Sequence, residues 1–237
     1  MRTTSRSVFA LLFLASIVSV QAGAQTASLK GVVKFQGVEL KGQPIDMSAD
    51  PYCMKAHSGP VASEEIVAGA DGGLANALVF VSDGLGDRTF TPPTQPAELE
   101  QKGCMYKPHV LALQTNQKLD VVNSDDTTHN IHPIPNNNRE WNKTQPHGVA
   151  IEESFAREEI PITVKCNVHP WMKGYVAVFK HPFFAVTTKT GSFEIKDLPP
   201  GTYTIKVWQE KLGTLSQQVT VGAGDSKTLE FAFKAGS

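Results

Sequence analysis

The chain has 237 residues, with 22 basic and 23 acidic side chains and a formal net charge of −1. Such a balance leaves no electrostatic footprint for nucleic acid or for an anionic membrane surface. Glycine (19) and proline (15) recur every few residues, which excludes a long-helix fold and favours short strands.

The first predicted element is an export signal over residues 1–24. Arg2 and Arg6 form a basic flank, residues 8–20 are a thirteen-residue apolar core, and Ala22-Gly23-Ala24 supplies small side chains before a cut at Gln25. That run is too short to span a bilayer comfortably, and no cysteine follows for a lipid anchor. The expectation is an exported chain, periplasmic or secreted, with no membrane insertion. Its cysteines are Cys53, Cys104 and Cys166. In an oxidising compartment an odd count means one disulfide plus a thiol with another task. If Cys166 is that thiol, Cys53 pairs with Cys104. His57, four positions past Cys53, is too little for a metal site by itself.

Short runs rich in Val, Ile, Phe and Tyr then read as strands: 29–35, 75–81, 109–115, 118–124, 158–166, 175–180, 183–188, 192–198, 202–209 and 215–221. In "TYTIKVW", Tyr203, Ile205 and Val207 share a face. In "YVAVF", Tyr175, Ala177 and Phe179 oppose Val176 and Val178. The predicted class is all-β, a sandwich or a pair of them.

Two of these strands, 118–124 and 158–166, lead into side chains with metal chemistry. The first runs into "NSDDTTHNIH", which delivers His129. The second ends in "CNVHPWM", with Cys166, His169 and Met172 at three-residue spacing. Two imidazoles, a thiolate and a thioether are the donor set of a type 1 copper centre, whereas zinc has little use for methionine. The plain alternative is a buried thiol, a core methionine and a surface imidazole. It does not account for the Pro-Trp pair between His169 and Met172.

The pairing of "VVNSDDTTHNIH" with "CNVHPWMKG" resembles the cupredoxins, the amicyanin-like and plastocyanin-like blue copper proteins, over roughly residues 104–181. The resemblance implies one copper ion held by His129, Cys166, His169 and Met172, in a Greek-key β-sandwich that carries single electrons. It also implies a hydrogen bond from the Asn130 backbone to the Cys166 sulfur. Asn130 and Asn123 side chains would tie the ligand loops together. Trp171 and Pro170 would surround an exposed edge of His169, where a redox partner protein docks. One departure stands out: fewer than thirty residues separate Cys104 from His129, so the family's first strand is absent or comes from before Pro92.

A second resemblance lies in "TTKTGSFEIKDLPPGTYTIKVWQEKLG", which is similar to the carboxypeptidase regulatory-like domain, a small transthyretin-like β-sandwich. Its opening strands are missing just upstream and look like 29–45 and 72–81. The expected organisation is therefore a discontinuous sandwich of 27–90 with 182–237, around a copper domain at 91–181. Tandem domains are the alternative.

Multicopper enzymes need paired H-x-H motifs, and none occurs. The expected role is a non-enzymatic electron carrier. The competing role is a non-redox binding module with a copper-buffering or vestigial site. His132 reads as a surface group, and His109, His147 and His181 as ordinary polar residues. Asn142-Lys143-Thr144 fits a glycosylation sequon too common to use.

Overall fold

The structure is a computed structural model that describes residues 25–37 and 42–234. The expected export signal lies outside the described residues. These residues contain sixteen strands and one short helix. In chain order they are β1 (Ala27–Gln36), α1 (Pro51–Lys55), β2 (Leu78–Asp83), β3 (Ala97–Gln101), β4 (Tyr106–Lys107), β5 (Val110–Gln114), β6 (Leu119–Asn123) and β7 (His129–Ile134). The second half supplies β8 (Lys143–Gln145), β9 (Ala150–Glu153), β10 (Glu159–Lys165), β11 (Lys173–Phe179), β12 (Phe184–Val186), β13 (Ser192–Leu198), β14 (Gly201–Gln209), β15 (Gly213–Val221) and β16 (Ser226–Lys234). Among the described residues no helix is long and apolar enough to cross a membrane.

The strands form four sheets, ordered β13-β1-β16, β12-β2-β14-β15, β5-β11-β10-β7-β8 and β4-β3-β6-β9. The first two enclose one core. Alternation in β1, β13, β14 and β16 turns Leu29, Val33, Phe193, Ile195, Tyr203, Ile205, Phe231 and Phe233 inward. β1 runs parallel to β16 and antiparallel to β13, so the first strand pairs with two strands more than 150 residues away. Gly31 makes the β1–β16 approach feasible: a Cβ there would lie 1.9 Å from the Leu229 carbonyl oxygen.

The other two sheets enclose a second core. Leu113, Ile131, Ile162, Val164, Val176 and Val178 face Leu99, Leu119, Val121 and Ile151. Met47 and Cys53 join this second core, although residues 27–90 were expected to build the other sandwich. Cys53 and Cys104 are joined by a disulfide, with their Cα atoms 5.6 Å apart.

Between the sandwiches lies a third apolar cluster, made by Leu78 and Phe80 of β2 with Val110, Tyr175, Ala177 and Phe179. From Tyr175 onward β11 therefore has no polar face: Val176 and Val178 enter the second core while Tyr175, Ala177 and Phe179 enter the junction. One buried carboxylate also crosses this junction. Glu210, in the β14–β15 hairpin, meets His109 Nε2 at 2.5 Å, accepts from the Tyr175 hydroxyl at 2.8 Å and pairs with Lys173 at 3.2 Å.

Candidate metal centre

The antiparallel pairing of β10 with β7 and β11 sets the site. β7 begins at His129, and β10 and β11 are the legs of the hairpin that holds residues 166–172. Backbone bonds close that loop, from Met172 N–H to the His169 carbonyl (2.9 Å) and from Cys166 N–H to the Met172 carbonyl (3.2 Å). Beneath it, the buried Tyr106 hydroxyl donates to the carbonyls of Asn130 (2.8 Å) and Lys165 (3.0 Å), linking the two ligand-bearing segments. Burial holds that phenol well above its ordinary pKa, so it stays a donor.

His129, Cys166 and His169 converge. Their ring nitrogens and sulfur all lie within 4.8 Å of one another, and all three side chains are buried. The two Nδ1 atoms are 2.9 Å apart, and Cys166 Sγ is 3.8 Å from His169 Nδ1. Met172 is buried in the same core as Cys166. The sulfur receives two backbone N–H groups, from Asn130 and His169, each at 3.4 Å.

Each imidazole is anchored at its far nitrogen. His129 Nε2 lies 2.9 Å from Asp125 Oδ2, and His169 Nε2 lies 3.0 Å from Asp50 Oδ2. A carboxylate there takes an N–H, which leaves Nδ1 of each ring as the lone-pair atom. Two lone pairs at 2.9 Å repel. Either one proton sits between them, or a cation does. A soft divalent or monovalent metal beside a thiolate satisfies all three donors, so the residues fit a copper ion.

Electrostatics lean the same way. Burial alone would lower the His129 pKa, but the Asp125 carboxylate and the Cys166 sulfur outweigh it and take it up to about 9. Burial raises the Cys166 thiol, and His129 with the N–H groups of Asn130, His169 and Val168 brings it below the ordinary thiol range. Asp125 is buried, yet His129 and the N–H groups of Cys104 and Gly103 hold it below the usual carboxylate range. Gly103 and Cys104 both have positive φ (65° and 54°), which turns their successive N–H groups onto that carboxylate.

The surrounding residues differ in part from the sequence reading. Asn130 bonds to the loop that follows Cys166: its Oδ1 accepts from Asn167 N–H, and its Nδ2 donates to Asn142. Asn123 does not. It bonds to Thr127, Gln145 and Asp125, bracing its own loop and β8. Trp171 lies tilted against His169, with ring centroids 5.1 Å apart, and its Nε1 donates to the Cys104 carbonyl. The expected exposed edge of His169 is absent. The ring is 2% exposed, with Trp171 beside it and Asp50, at the cap of α1, at its Nε2. His132 bonds to Asn167 and Glu140, while His57 reaches the Gly103 carbonyl. His147 Nδ1 meets the Asp125 carbonyl. His109 and His181, read as ordinary polar residues, are buried.

Asp50, Asp125 and Tyr106 are site residues that the sequence reading missed. Asp125 had a signal: it stands four residues before His129 in the same quoted stretch. Asp50 is 119 positions from its histidine and had none.

Residues 175–234 match the carboxypeptidase regulatory-like domain. The match spans β11 to β16 and leaves out β1 and β2, which pair with its strands. No curated protein matches the chain. Similar solved structures include a copper-containing nitrite reductase from Thermus scotoductus SA-01, at 20% identity and a TM-score of 0.35. That alignment covers 41% of this chain but only 25% of the reductase. A purple cupredoxin from Nitrosopumilus maritimus aligns at 24% identity over 35% of this chain and 98% of its own, with a TM-score of 0.31. Amicyanin from Paracoccus versutus aligns at 16% identity over 42% and 96%, with a TM-score of 0.33.

Proposed function

We propose that the protein is an exported type 1 copper protein that passes single electrons between redox partners and performs no turnover chemistry of its own. The observation that carries the reading is the convergence of His129 Nδ1, His169 Nδ1 and Cys166 Sγ, with both Nε2 atoms tied to carboxylates. His129, Cys166 and His169 would be the strong donors, and the Met172 thioether a weaker one. Copper bound there would supply a one-electron Cu(II)/Cu(I) couple. The protein's part is to hold the donors still. Two N–H groups on the Cys166 sulfur withdraw electron density from it, which favours the reduced metal and raises the potential. Close packing around the loop opposes movement of the donors between oxidation states.

The proposed organisation is a discontinuous regulatory-like sandwich, with N-terminal and C-terminal segments together and the copper-holding sandwich inserted between them. The β1–β13 and β1–β16 pairings support it. Export and cleavage near Ala24 are part of the proposal, on the strength of the N-terminal sequence.

One observation favours a second reading, a copper-holding module that does not exchange electrons. The ring of His169, the expected exit, is buried, with Asp50 at its Nε2. Optical, EPR and voltammetric measurements on the Cu(II) protein separate the two. The carrier reading expects one copper per chain, an intense visible thiolate-to-copper band lost in Cys166→Ala, and reversible reduction. A colourless complex would refute type 1 ligation, and a coloured but electrochemically silent one would favour the second reading.

A further inference from the structure

The Cys53–Cys104 disulfide stands between two carboxylates, each of which holds one of the converging histidines. On one side, Asp50 Oδ1 accepts from the N–H groups of Tyr52 (2.7 Å) and Cys53 (3.3 Å). Its other oxygen faces His169 Nε2. On the opposite side, Asp125 accepts from Gly103 N–H (2.6 Å) and Cys104 N–H (2.7 Å), and faces His129 Nε2. Two cross-ties complete the frame. The Tyr52 hydroxyl donates to Asp125 at 3.3 Å, and the Thr127 hydroxyl donates to Asp50 at 3.1 Å.

Capping a helix needs one carboxylate oxygen, and Asp50 Oδ1 does that for α1. Oδ2 is left for His169 and Thr127. A five-residue helix has negligible stability of its own, so something must fix where its cap lies. The disulfide does so, because it joins α1 to the segment whose N–H groups hold Asp125. His169 is 2% exposed, and Asp50 Oδ2 is the group that meets its Nε2.

We infer that Asp50, held in place by the Cys53–Cys104 disulfide, is a positioning residue for His169: it fixes the tautomer that keeps Nδ1 free for a metal ion. Neither sulfur of the disulfide need be a ligand for its loss to be felt at the metal. The inference rests on the metal-centre reading above.

The test uses the full chain labelled with 15N-histidine, as the unmodified protein and as Asp50→Asn, Asp50→Ala and the double variant Cys53→Ala/Cys104→Ala. Folding is checked by thermal unfolding. Long-range 1H–15N spectra of the metal-free proteins report which ring nitrogen of His169 carries the proton, and Cu(II) titration gives the dissociation constant. Asparagine caps helices as well as aspartate does. A capping role alone would therefore leave Asp50→Asn unchanged. Its amide, however, cannot accept at both of the aspartate's oxygens. The expected result is proton density moving onto His169 Nδ1 in all three variants, with copper affinity falling roughly 10-fold to 100-fold. Asp50→Asn with the unmodified tautomer and an affinity within about twofold would overturn the inference. So would a folded double-cysteine variant with both unchanged. Should the double variant fail to fold, the two Asp50 variants decide. If the unmodified chain takes up no Cu(II), the copper reading falls, and the metal-free tautomer still decides this one.

Discussion

Replacing Asp125 with asparagine tests how much of the site is held by one buried charge. The carboxylate is 2% exposed and accepts at both oxygens, from Gly103 N–H and the Tyr52 hydroxyl at Oδ1, and from Cys104 N–H and His129 Nε2 at Oδ2. An amide presents one oxygen and one NH2. Whichever way it turns, two of the four donors then face another donor. Hydrogen bonds to a charged acceptor contribute about 1.5 to 3 kcal/mol each, and breaking a buried charge pair costs about 3 to 5 kcal/mol. These descriptions overlap, so the expected loss is about 3 to 5 kcal/mol in total. Urea titration followed by tryptophan fluorescence reads it as a fall in midpoint at unchanged slope. The variant should also change the pH profile. Asp125 titrates below its unfolded value, so its contribution is present above about pH 4 and lost as pH falls through the depressed pKa. His129 titrates up to about 9, so its contribution is present below about pH 6.5 and lost as pH rises through about 9. Asp125→Asn should flatten both limbs. A loss under about 1 kcal/mol with both limbs intact would refute the assignment of Asp125 as the charge that holds the loop.

Other outcomes follow from the same geometry. Tyr106→Phe removes two bonds to the Asn130 and Lys165 carbonyls and should cost about 1 to 3 kcal/mol in thermal or urea unfolding, with the Cu(II) spectrum altered. Glu210→Ala leaves His109 and Lys173 without their carboxylate at the sandwich junction, and should lower stability by about 3 to 5 kcal/mol. Hydrogen exchange should then rise first in β5, β11 and the β14–β15 hairpin. Val178→Ala empties part of the second core and should cost about 1 to 3 kcal/mol, with no change at the first core's amides. Gly31→Ala cannot be housed without moving the Leu229 carbonyl, so β1 and β16 should separate and amide protection of β1 should drop.

Much of the strand pattern was legible because one-sided burial writes a period of two. β14 shows it, with Tyr203, Ile205, Val207 and Gln209 buried and their neighbours less so. β16 carries the same alternation at Leu229, Phe231 and Phe233 and went unread. β3 offered no such signal. "AELEQ" has helical propensity and becomes a strand because β6 and β4 flank it. β8 and β9 are short, polar edge segments defined by their partners. The converging donors were legible as residue types at a spacing. What meets His169 Nε2 was not, because Asp50 stands 119 positions away in the chain. The start of α1 did carry a local sign, an aspartate cap followed by proline at the first turn.

β11 has a consequence for anyone who would dissect the chain. It is the return leg of the hairpin that carries Cys166, His169 and Met172, and it is also a wall of the junction cluster. A fragment of residues 91–181 would keep every proposed ligand. It would also lay Tyr175, Ala177 and Phe179 open to water, along with Val110 beside them. At about 25 cal/mol per Å² of apolar surface, uncovering three such side chains and their neighbour amounts to several kcal/mol, on a strand long enough to recruit other copies. The smallest soluble piece containing the ligand loop is therefore expected to need β2 and β12 as well, even though neither touches a donor atom.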